Sequence, residues 1–266
     1  MRAHWREYAS EAAGLGLFML SACVFGTALG HPASPVVRAL PDPFARRMLM
    51  GLAMGLTAIT LIYSPWGRLS GAHLNPATTL TFWRLGKVAG GDALAYAAAQ
   101  VVGGVAGVVV ANLMFGLPAV NVSTTIRSSP GLWLAEVVAT FGLLLVIFGV
   151  VRSRRASVAP FAVGAYIGGA YFFTASTSFA NPAVTVARTL SNTFAGIAPA
   201  SAPAFMGAQL AGAVIALVVV KILYPSVADF ASDVVVPHDQ SVEHALSISQ
   251  RAAVPWFPGG REKRHE

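Results

Sequence analysis

Charged side chains are scarce in this sequence of 266 residues: Asp, Glu, Lys and Arg make up 11%, whereas hydrophobic residues make up 55%. Soluble domains carry about 25% charged residues. A chain of this size cannot cover itself with a solvated surface from so few charges. The composition therefore excludes an ordinary soluble domain and predicts an all-α membrane protein whose exterior faces the lipid bilayer.

Cysteine is almost absent, and several chemical motifs are missing. The single cysteine, Cys23, lies inside an apolar run, so no intrachain disulfide is possible. The sequence contains no Gly-rich phosphate loop, no His/Cys/carboxylate metal cluster and no nucleophile constellation. We therefore expect neither an enzyme nor a bound metal or other cofactor.

Positive charge is in excess, with a net charge of +7. The basic residues lie in short loops between apolar runs and form no stripe, so we do not expect nucleic acid as a partner. Short basic loops instead set the orientation of a membrane protein. Lys and Arg residues in these loops are divided unequally between the two sides of the membrane. Eight lie on the first side: Arg2, Arg6, Arg68, Arg84, Lys87, Arg152, Arg154 and Arg155. Five lie on the other side: Arg38, Arg46, Arg47, Arg127 and Arg188. This asymmetry predicts that both termini lie in the cytoplasm. We expect an integral, multi-pass protein of the plasma (inner) membrane.

Six apolar runs are long enough to cross a bilayer, which needs about 20 residues. They cover residues 9–30, 47–63, 92–115, 132–151, 158–174 and 204–223, with approximate ends. Two shorter segments, beginning at Asn75 and Asn181, have only about ten apolar or hydroxyl residues, or roughly 15 Å of helix. That length is half a crossing, so we expect two re-entrant half-helices that meet head to head.

Both short segments begin with Asn-Pro-Ala. Asn is a strong helix N-cap, and Pro is favoured at the first helical position. A single tripeptide of this kind is most simply an ordinary helix cap. Two of them, each at the start of a half-length apolar segment, indicate a functional role. The motifs are Asn75, Pro76 and Ala77, and Asn181, Pro182 and Ala183.

The order of segments repeats, with residues 9–115 matching residues 132–223. Three spans per repeat is an odd number, so the second repeat enters the membrane from the opposite side. Inverted repeats place binding or conduction at the midplane, where broken helices meet. We expect a single channel domain over residues 1–223, followed by a partly disordered cytoplasmic tail over residues 224–266.

Two half-helix N-termini at one point direct positive dipole ends at a passing solute, which disfavours cations. The side-chain amides of Asn75 and Asn181 donate hydrogen bonds, and carbonyls of irregular backbone accept them. This chemistry predicts a pore for small uncharged polar molecules that excludes ions and protons.

The segment Ser-Gly-Ala-His-Leu-Asn-Pro-Ala (Ser70–Ala77) and the second Asn-Pro-Ala resemble the major intrinsic proteins, the aquaporins and aquaglyceroporins. The resemblance covers about residues 9–223. It implies six tilted helices, two half-helices, passive transport and a homotetramer with one pore per subunit. Glu11 and Glu136 match the family's buried glutamates that brace the half-helix loops. His73 is expected to brace the first loop, with pH gating as the alternative.

The sequence departs from the family at the selectivity constriction. Most relatives have Arg directly after the second motif, where this chain has Val184. Counting outward from the motifs puts the other constriction positions at Met54, Gly169 and Ser178, with Ala170 as the neighbour of Gly169. None is a His or a bulky ring. We therefore expect a wide, apolar constriction that passes glycerol, urea or neutral metalloid hydroxides as well as water.

Other interpretations remain open at this point. Arg188 follows Val184 by four residues, on the same helix face and about 6 Å further out. It is either a displaced filter arginine in the outer vestibule, which would favour a water-selective pore, or a residue that snorkels to the outer surface or pairs with loop carbonyls. Glu11 or Glu136 would be the coupling carboxylate if the chain were a proton-coupled transporter. A junction protein with a closed pore is the remaining alternative.

Overall fold

Helices account for nearly all of the regular structure in the computed structural model, which describes residues 4–227 except for the side chain of residue 156. Short 3-10 turns at Ala156–Val158 and Pro199–Ser201 precede two of these helices. The helices are α1 (Trp5–Gly30), α2 (Pro35–Ala39), α3 (Pro43–Tyr63), α4 (Pro65–Ser70), α5 (Pro76–Arg84), α6 (Gly90–Met114), α7 (Pro130–Arg152), α8 (Ala159–Phe173), α9 (Pro182–Arg188) and α10 (Ala202–Leu223).

Six of the ten described helices begin with a polar cap followed by a proline: α2, α3, α4, α5, α7 and α9. Asp42 caps α3, where its carboxylate accepts from the backbone N–H groups of Phe44 and Ala45. Ser129 caps α7 in the same way. Proline then occupies the first turn, where an N–H would have no partner. The polar breaks between apolar runs therefore mark where helices begin.

The predicted all-α fold with six long helices and two half-helices is confirmed, with one difference in length. α1, α3, α6, α7 and the segment Pro199–Leu223 are long and apolar enough to cross a membrane. α8 has only 15 residues, or about 22 Å. α5 and α9 are shorter still, at 9 and 7 residues. Of the short helices, α2 and α4 were not predicted.

Glycines allow the long helices to cross closely within one chain. A Cβ atom on Gly103 or Gly107 of α6 would overlap a backbone carbonyl of α1, at Ala12 or Gly16. Gly55 of α3 faces α8 in the same way. Small residues at such crossings let backbones approach each other without lipid between them. These contacts pair the first and third long helices of the first repeat, and bind α3 of that repeat to α8 of the second.

The distribution of polarity is the reverse of that in a soluble protein. Glu11, Gln100, Glu136 and Gln209 are completely buried. Large apolar side chains such as Leu94 are exposed on the outside of the helices. An apolar exterior suits lipid, and the buried polar residues point to a wet or hydrogen-bonded interior. The expected tail lies outside the described residues, apart from residues 224–227.

Candidate functional site: the cavity where α5 and α9 meet

The two half-helices begin at the two asparagines. Asn75 is the N-cap of α5, and its Oδ1 accepts from the N–H of Ala77 at 2.9 Å. Asn181 is the N-cap of α9, and its Oδ1 accepts from the N–H of Ala183 at 3.0 Å and of Val184 at 3.2 Å. Capping uses the amide oxygen, so the amide nitrogen of each asparagine is turned away from its own helix.

Each amide nitrogen is bonded to the opposite loop. Asn75 Nδ2 donates to the carbonyl of Ala180 at 2.7 Å, and Asn181 Nδ2 donates to the carbonyl of Leu74 at 2.7 Å. A primary amide carries two N–H donors, so one donor per asparagine is left over. Both asparagines line the same cavity, where that donor is available to a solute.

Pro76 and Pro182 occupy the first position of their half-helices, and Ala77 and Ala183 follow with no exposed surface. Proline has no N–H to satisfy at this position. An alanine fits a completely buried place that a larger side chain would overfill. The tripeptide thus combines a cap, a preformed first turn and a small buried residue.

The loops before the asparagines have matching backbones. Ala72 and Leu74 have φ values of 47° and 47°, and their counterparts Ser178 and Ala180 have 53° and 49°. Non-glycine residues in this left-handed region cost of order 1–3 kcal/mol each, and they persist only where surrounding contacts enforce them. The cavity is lined by both loops, including all four of these residues.

Glu11 holds the first loop. One carboxylate oxygen accepts from the hydroxyl of Ser70 at 2.7 Å and from the N–H of His73 at 2.9 Å. The other accepts from the N–H of Leu74 and from the side chain of Gln100, both at 2.6 Å. Four hydrogen bonds to one buried carboxylate fix the strained loop in place.

Glu136 holds the second loop in the same way. It accepts from the N–H groups of Phe179 and Ala180, both at 2.9 Å, and from Gln209 at 2.6 Å. The residues that line the cavity include neither Glu136 nor Glu11. Both carboxylates therefore face the backbone of a loop.

His73 and Phe179 are equivalent positions, each two residues before an asparagine. His73 lies with Nδ1 at 3.0 Å from the hydroxyl of Thr79, and its ring stacks on Phe82 at 4.8 Å between centroids. Phe179 packs edge-on against Phe205. Both line the cavity, one on the α5 side and one on the α9 side.

The cavity has a volume of about 120 Å³, well above the ~10–15 Å³ that one water requires. Its wall combines apolar side chains from the long helices with the polar groups of the two loops. The apolar part comprises Leu15, Phe18, Ala22, Ala58, Ile62, Leu143, Ile147, Val163 and Ile167. Such a wall offers hydrogen bonds along a narrow track and apolar contact elsewhere.

The four residues expected at the constriction divide into two pairs. Ser178 and Val184 line the cavity. Met54 is completely buried in the apolar core beside the cavity and is not part of its wall. Gly169 is exposed and is not among the residues that line the cavity, so its place at the constriction stays a prediction.

The rotation of α8 turns other residues toward the cavity. Val163, Ile167 and Tyr171 line the cavity at a spacing of four residues, and Gly169 is two residues from Ile167 and therefore on roughly the opposite side of the helix. Tyr171 is an aromatic residue of the cavity wall that the sequence analysis did not name. Its four-residue spacing from Ile167 and Val163 puts the three residues on one helix face.

Arg188 lines the same cavity and is only 3% exposed. Its Nε donates to the carbonyl of Ala195, and its guanidinium carbon lies 3.7 Å from the ring centroid of Phe179. Its Nη2 is buried without an acceptor among residues 4–227. Arg188 therefore lies in the cavity wall and also pairs with a loop carbonyl, so the structure combines the placements considered from the sequence.

In the described part of the chain, no three His, Cys, Asp or Glu side chains converge as a metal site would require. The cavity itself offers hydrogen-bond donors and acceptors, apolar contact and the positive charge of Arg188.

Comparisons with known proteins agree with this geometry. A family model described as "Major intrinsic protein" matches residues 1–180. The chain is 44% identical to aquaglyceroporin AqpS of Rhizobium meliloti (strain 1021) over 216 residues, which are 81% of this chain and 89% of that protein. It is 32% identical to aquaporin Z of Bradyrhizobium diazoefficiens over 176 residues, covering 60% and 68%. The X-ray structure of the aquaglyceroporin from Plasmodium falciparum shares the fold, with a TM-score of 0.60, 20% identity and coverage of 84% and 98%.

Proposed function

The chain belongs to the major intrinsic protein family, and we propose that it forms a passive pore for small uncharged solutes such as glycerol, urea or metalloid hydroxides, together with water. The observation that carries this proposal is the cavity at the junction of α5 and α9, which combines a polar track with an apolar wall. The aquaglyceroporin relative, at 44% identity, supports the same class of solute.

The wall suits a molecule that is polar on one edge and apolar on the other. Donors come from Asn75 and Asn181, and the loops before them supply backbone carbonyls. Val184 and Ile167 present carbon to the same space. A polyol keeps its hydroxyl groups bonded along the track, while its CH groups lose little on leaving water for this wall.

Cations are excluded by charge. The lining residues include Arg188 and no carboxylate. The N-termini of the two half-helices add partial positive charge at their junction. In a low-dielectric surrounding this field is screened far less than in water. Protons and metal cations therefore meet a barrier that neutral solutes do not.

Passive transport is favoured over proton coupling. Glu11 and Glu136 are the carboxylates that a coupled transporter would use, yet each is bonded to loop N–H groups and a glutamine. Protonating either would remove acceptors from the loop that it braces. Their geometry supports a structural role.

A second candidate is a water-selective pore with Arg188 as the filter arginine. Arg188 and Tyr171 both line the cavity, and a guanidinium group facing an aromatic ring would narrow the passage for solutes larger than water. This alternative also describes a passive pore, and it differs from the first proposal only in the solutes that pass. The aquaporin Z relative is consistent with it.

We further propose that the protein is a homotetramer in the plasma (inner) membrane, with both termini and the tail over residues 224–266 in the cytoplasm. From the sequence, five basic loop residues are expected on the outer side of the membrane and eight on the cytoplasmic side. Arg188, one of the five, lies in the cavity wall and is not a loop residue, so four remain on the outer side. The difference in positive charge between the two sides is thus larger than the sequence alone indicated.

The test is solute uptake by proteoliposomes, followed by light scattering after osmotic shock. The proposal expects glycerol, urea and water fluxes well above those of bare liposomes, linear in solute concentration and unchanged by a protonophore. Water flux without glycerol flux would favour the water-selective alternative. A flux that saturates at low solute concentration and collapses with the protonophore would overturn passive transport.

A further inference from the structure

We propose that Arg188 forms a binding site for a small monovalent oxyanion, such as nitrate or a short carboxylate, in the outer part of the cavity. An anion bound there obstructs neutral solutes. This inference rests on the pore proposed above. We call the group formed by Arg188, Tyr171, Phe179 and the carbonyl of Ala195 the Arg188 site.

Arg188 has an unused donor. Its Nε is taken by the carbonyl of Ala195, and Phe179 covers one face of its guanidinium group. Its Nη2 is buried and has no acceptor within residues 4–227. A buried donor without a partner destabilises the protein, because it has lost its hydrogen bonds to water. A ligand that brings an acceptor to the Arg188 site removes that destabilisation.

Arg127 adds a second positive charge without competing for the ligand. Its guanidinium carbon lies 5.1 Å from the ring centroid of Phe179, the same ring that Arg188 covers. Its Nε donates to the carbonyl of Gly196 at 2.9 Å and its Nη2 to that of Phe194 at 3.0 Å. Burial and the neighbouring Arg188 lower the pKa of Arg127 to about 10, so it remains charged at neutral pH.

The positive charge of the two arginines exceeds the negative charge beside them. Glu136 acts on both guanidinium groups and offsets part of their charge, while its oxygens accept from two loop N–H groups and Gln209. The described residues that line the cavity include no carboxylate. Two guanidinium groups against one carboxylate thus leave a net positive region around the ring of Phe179.

An oxyanion fits this region better than water or a neutral solute does. Hydrogen bonds between a guanidinium donor and an anionic oxygen are about twice as strong as neutral ones. The apolar surroundings of Tyr171 and Val184 strengthen the attraction further. Because Arg188 is part of the cavity wall, an anion held there stands in the path of glycerol or water.

The experiment measures glycerol and water flux in proteoliposomes, with nitrate replacing gluconate at constant ionic strength and osmolarity. Gluconate serves as the reference because it is far bulkier. We expect nitrate to lower both fluxes severalfold with a saturating dose dependence. Arg188→Gln should lose the nitrate effect relative to its own nitrate-free flux. Arg127→Gln should shift the half-inhibiting nitrate concentration upward, since it removes charge from the site and leaves the Arg188 donor in place.

Arg38→Gln is the matched control, since Arg38 is an exposed arginine away from the cavity and should keep full inhibition. A binding readout separates this inference from the proposed function. Nitrate should raise the thermal unfolding midpoint of the detergent-purified wild type relative to gluconate, and should not raise that of Arg188→Gln. Equal midpoints in nitrate and gluconate for the wild type would overturn the site, even if solute flux is normal. A thermal unfolding midpoint that rises with nitrate, in a protein without solute flux, would support the Arg188 site and contradict the proposed pore.

Discussion

Asn75 and Asn181 each donate a hydrogen bond from Nδ2 to the carbonyl of the residue that precedes the other, both at 2.7 Å. The acceptors, Ala180 and Leu74, are left-handed residues whose N–H groups are themselves held by Glu136 and Glu11. The two repeats are therefore locked to each other at the cavity. A change in one half-helix is expected to disturb both.

Replacing either asparagine by aspartate tests this lock. Asn181→Asp keeps the capping oxygen but removes the donor to Leu74, and it places a negative charge in the cavity wall. We expect a loss of about 1–3 kcal/mol in stability from the unsatisfied carbonyl, together with a cation leak that the wild type lacks. Thermal unfolding and sodium flux in proteoliposomes measure the two effects.

Asn192→Asp is the control for that experiment. Its oxygen accepts from Thr124 at 3.1 Å in an exposed loop, so aspartate preserves the bond. Stability should stay within about 0.5 kcal/mol of the wild type. An Asn181→Asp protein as stable and as cation-tight as Asn192→Asp would show that the reciprocal bond is unimportant.

The two bracing glutamates should cost about the same to replace. In Glu11→Gln the Ser70 hydroxyl or the Gln100 amide can accept from the new nitrogen, so only the N–H of His73 or of Leu74 loses its acceptor. In Glu136→Gln only the N–H of Phe179 need lose its acceptor. Each orphaned N–H costs about 1–3 kcal/mol, so both variants should melt at a lower temperature than the wild type, by calorimetry or fluorescence.

The same pair of variants separates bracing from proton coupling. If the carboxylates only brace the loops, any folded Glu→Gln protein should transport glycerol with the same insensitivity to a protonophore as the wild type. A wild-type flux that depends on a proton gradient, and loses that dependence in Glu136→Gln, would contradict the structural role.

Helix crossings give a prediction about stability alone. Gly107→Ala places a methyl group into the carbonyl of Gly16 on α1, so α1 and α6 must separate. We expect a loss of about 1–3 kcal/mol, read as a lower unfolding midpoint. Gly207→Ala in α10 meets no atom within 4 Å, and it should be neutral or stabilising by about 0.5–1 kcal/mol because alanine is the better helix former.

Two substitutions in α8 test which of Tyr171 and Gly169 faces the path of the solute. Tyr171→Ala removes a ring from the cavity wall and should raise the permeability for urea and glycerol more than for water. Gly169→Ala lies on the opposite face of α8, where the nearest atom to a new Cβ is in Phe173 at 3.9 Å. It should leave all three fluxes unchanged. If Gly169→Ala instead changes urea or glycerol permeability more than water permeability, Gly169 lies at the selectivity constriction, as the sequence predicts.

The sequence predicted the helices well because their boundaries are chemical. Asn75-Pro76 and Asn181-Pro182 predict the starts of the two half-helices, which begin at Pro76 and Pro182. α3 ends at Tyr63, which is also the last residue of the predicted apolar run. Periodicity and cap residues act locally, so they can be read without knowing the fold. The bracing role of Glu11 came from the family resemblance and has its geometric counterpart in four short hydrogen bonds.

The constriction was harder to predict because it depends on how helices rotate against each other. The position of Gly169 was obtained by counting from Asn181 across a loop in which Thr177, Ser178 and Ala180 are left-handed. The face that α8 turns inward is set by the close approach of Gly164 to Gly55 on α3. The four-residue spacing of Val163, Ile167 and Tyr171 marks them as one face of α8, but no local signal says which face of α8 turns inward.

The measurement that tests the account most directly compares glycerol and water permeability of the wild type and Val184→Arg in proteoliposomes. Val184 is 3% exposed and lines the cavity, so an arginine there would narrow the passage one turn before Arg188. We predict that the wild type passes both solutes, and that Val184→Arg lowers glycerol permeability about tenfold or more, a barrier increase of ~1.4 kcal/mol, while water still passes. If the wild type passes water but no glycerol, the wide constriction is wrong, and Arg188 is the filter of a water-selective pore.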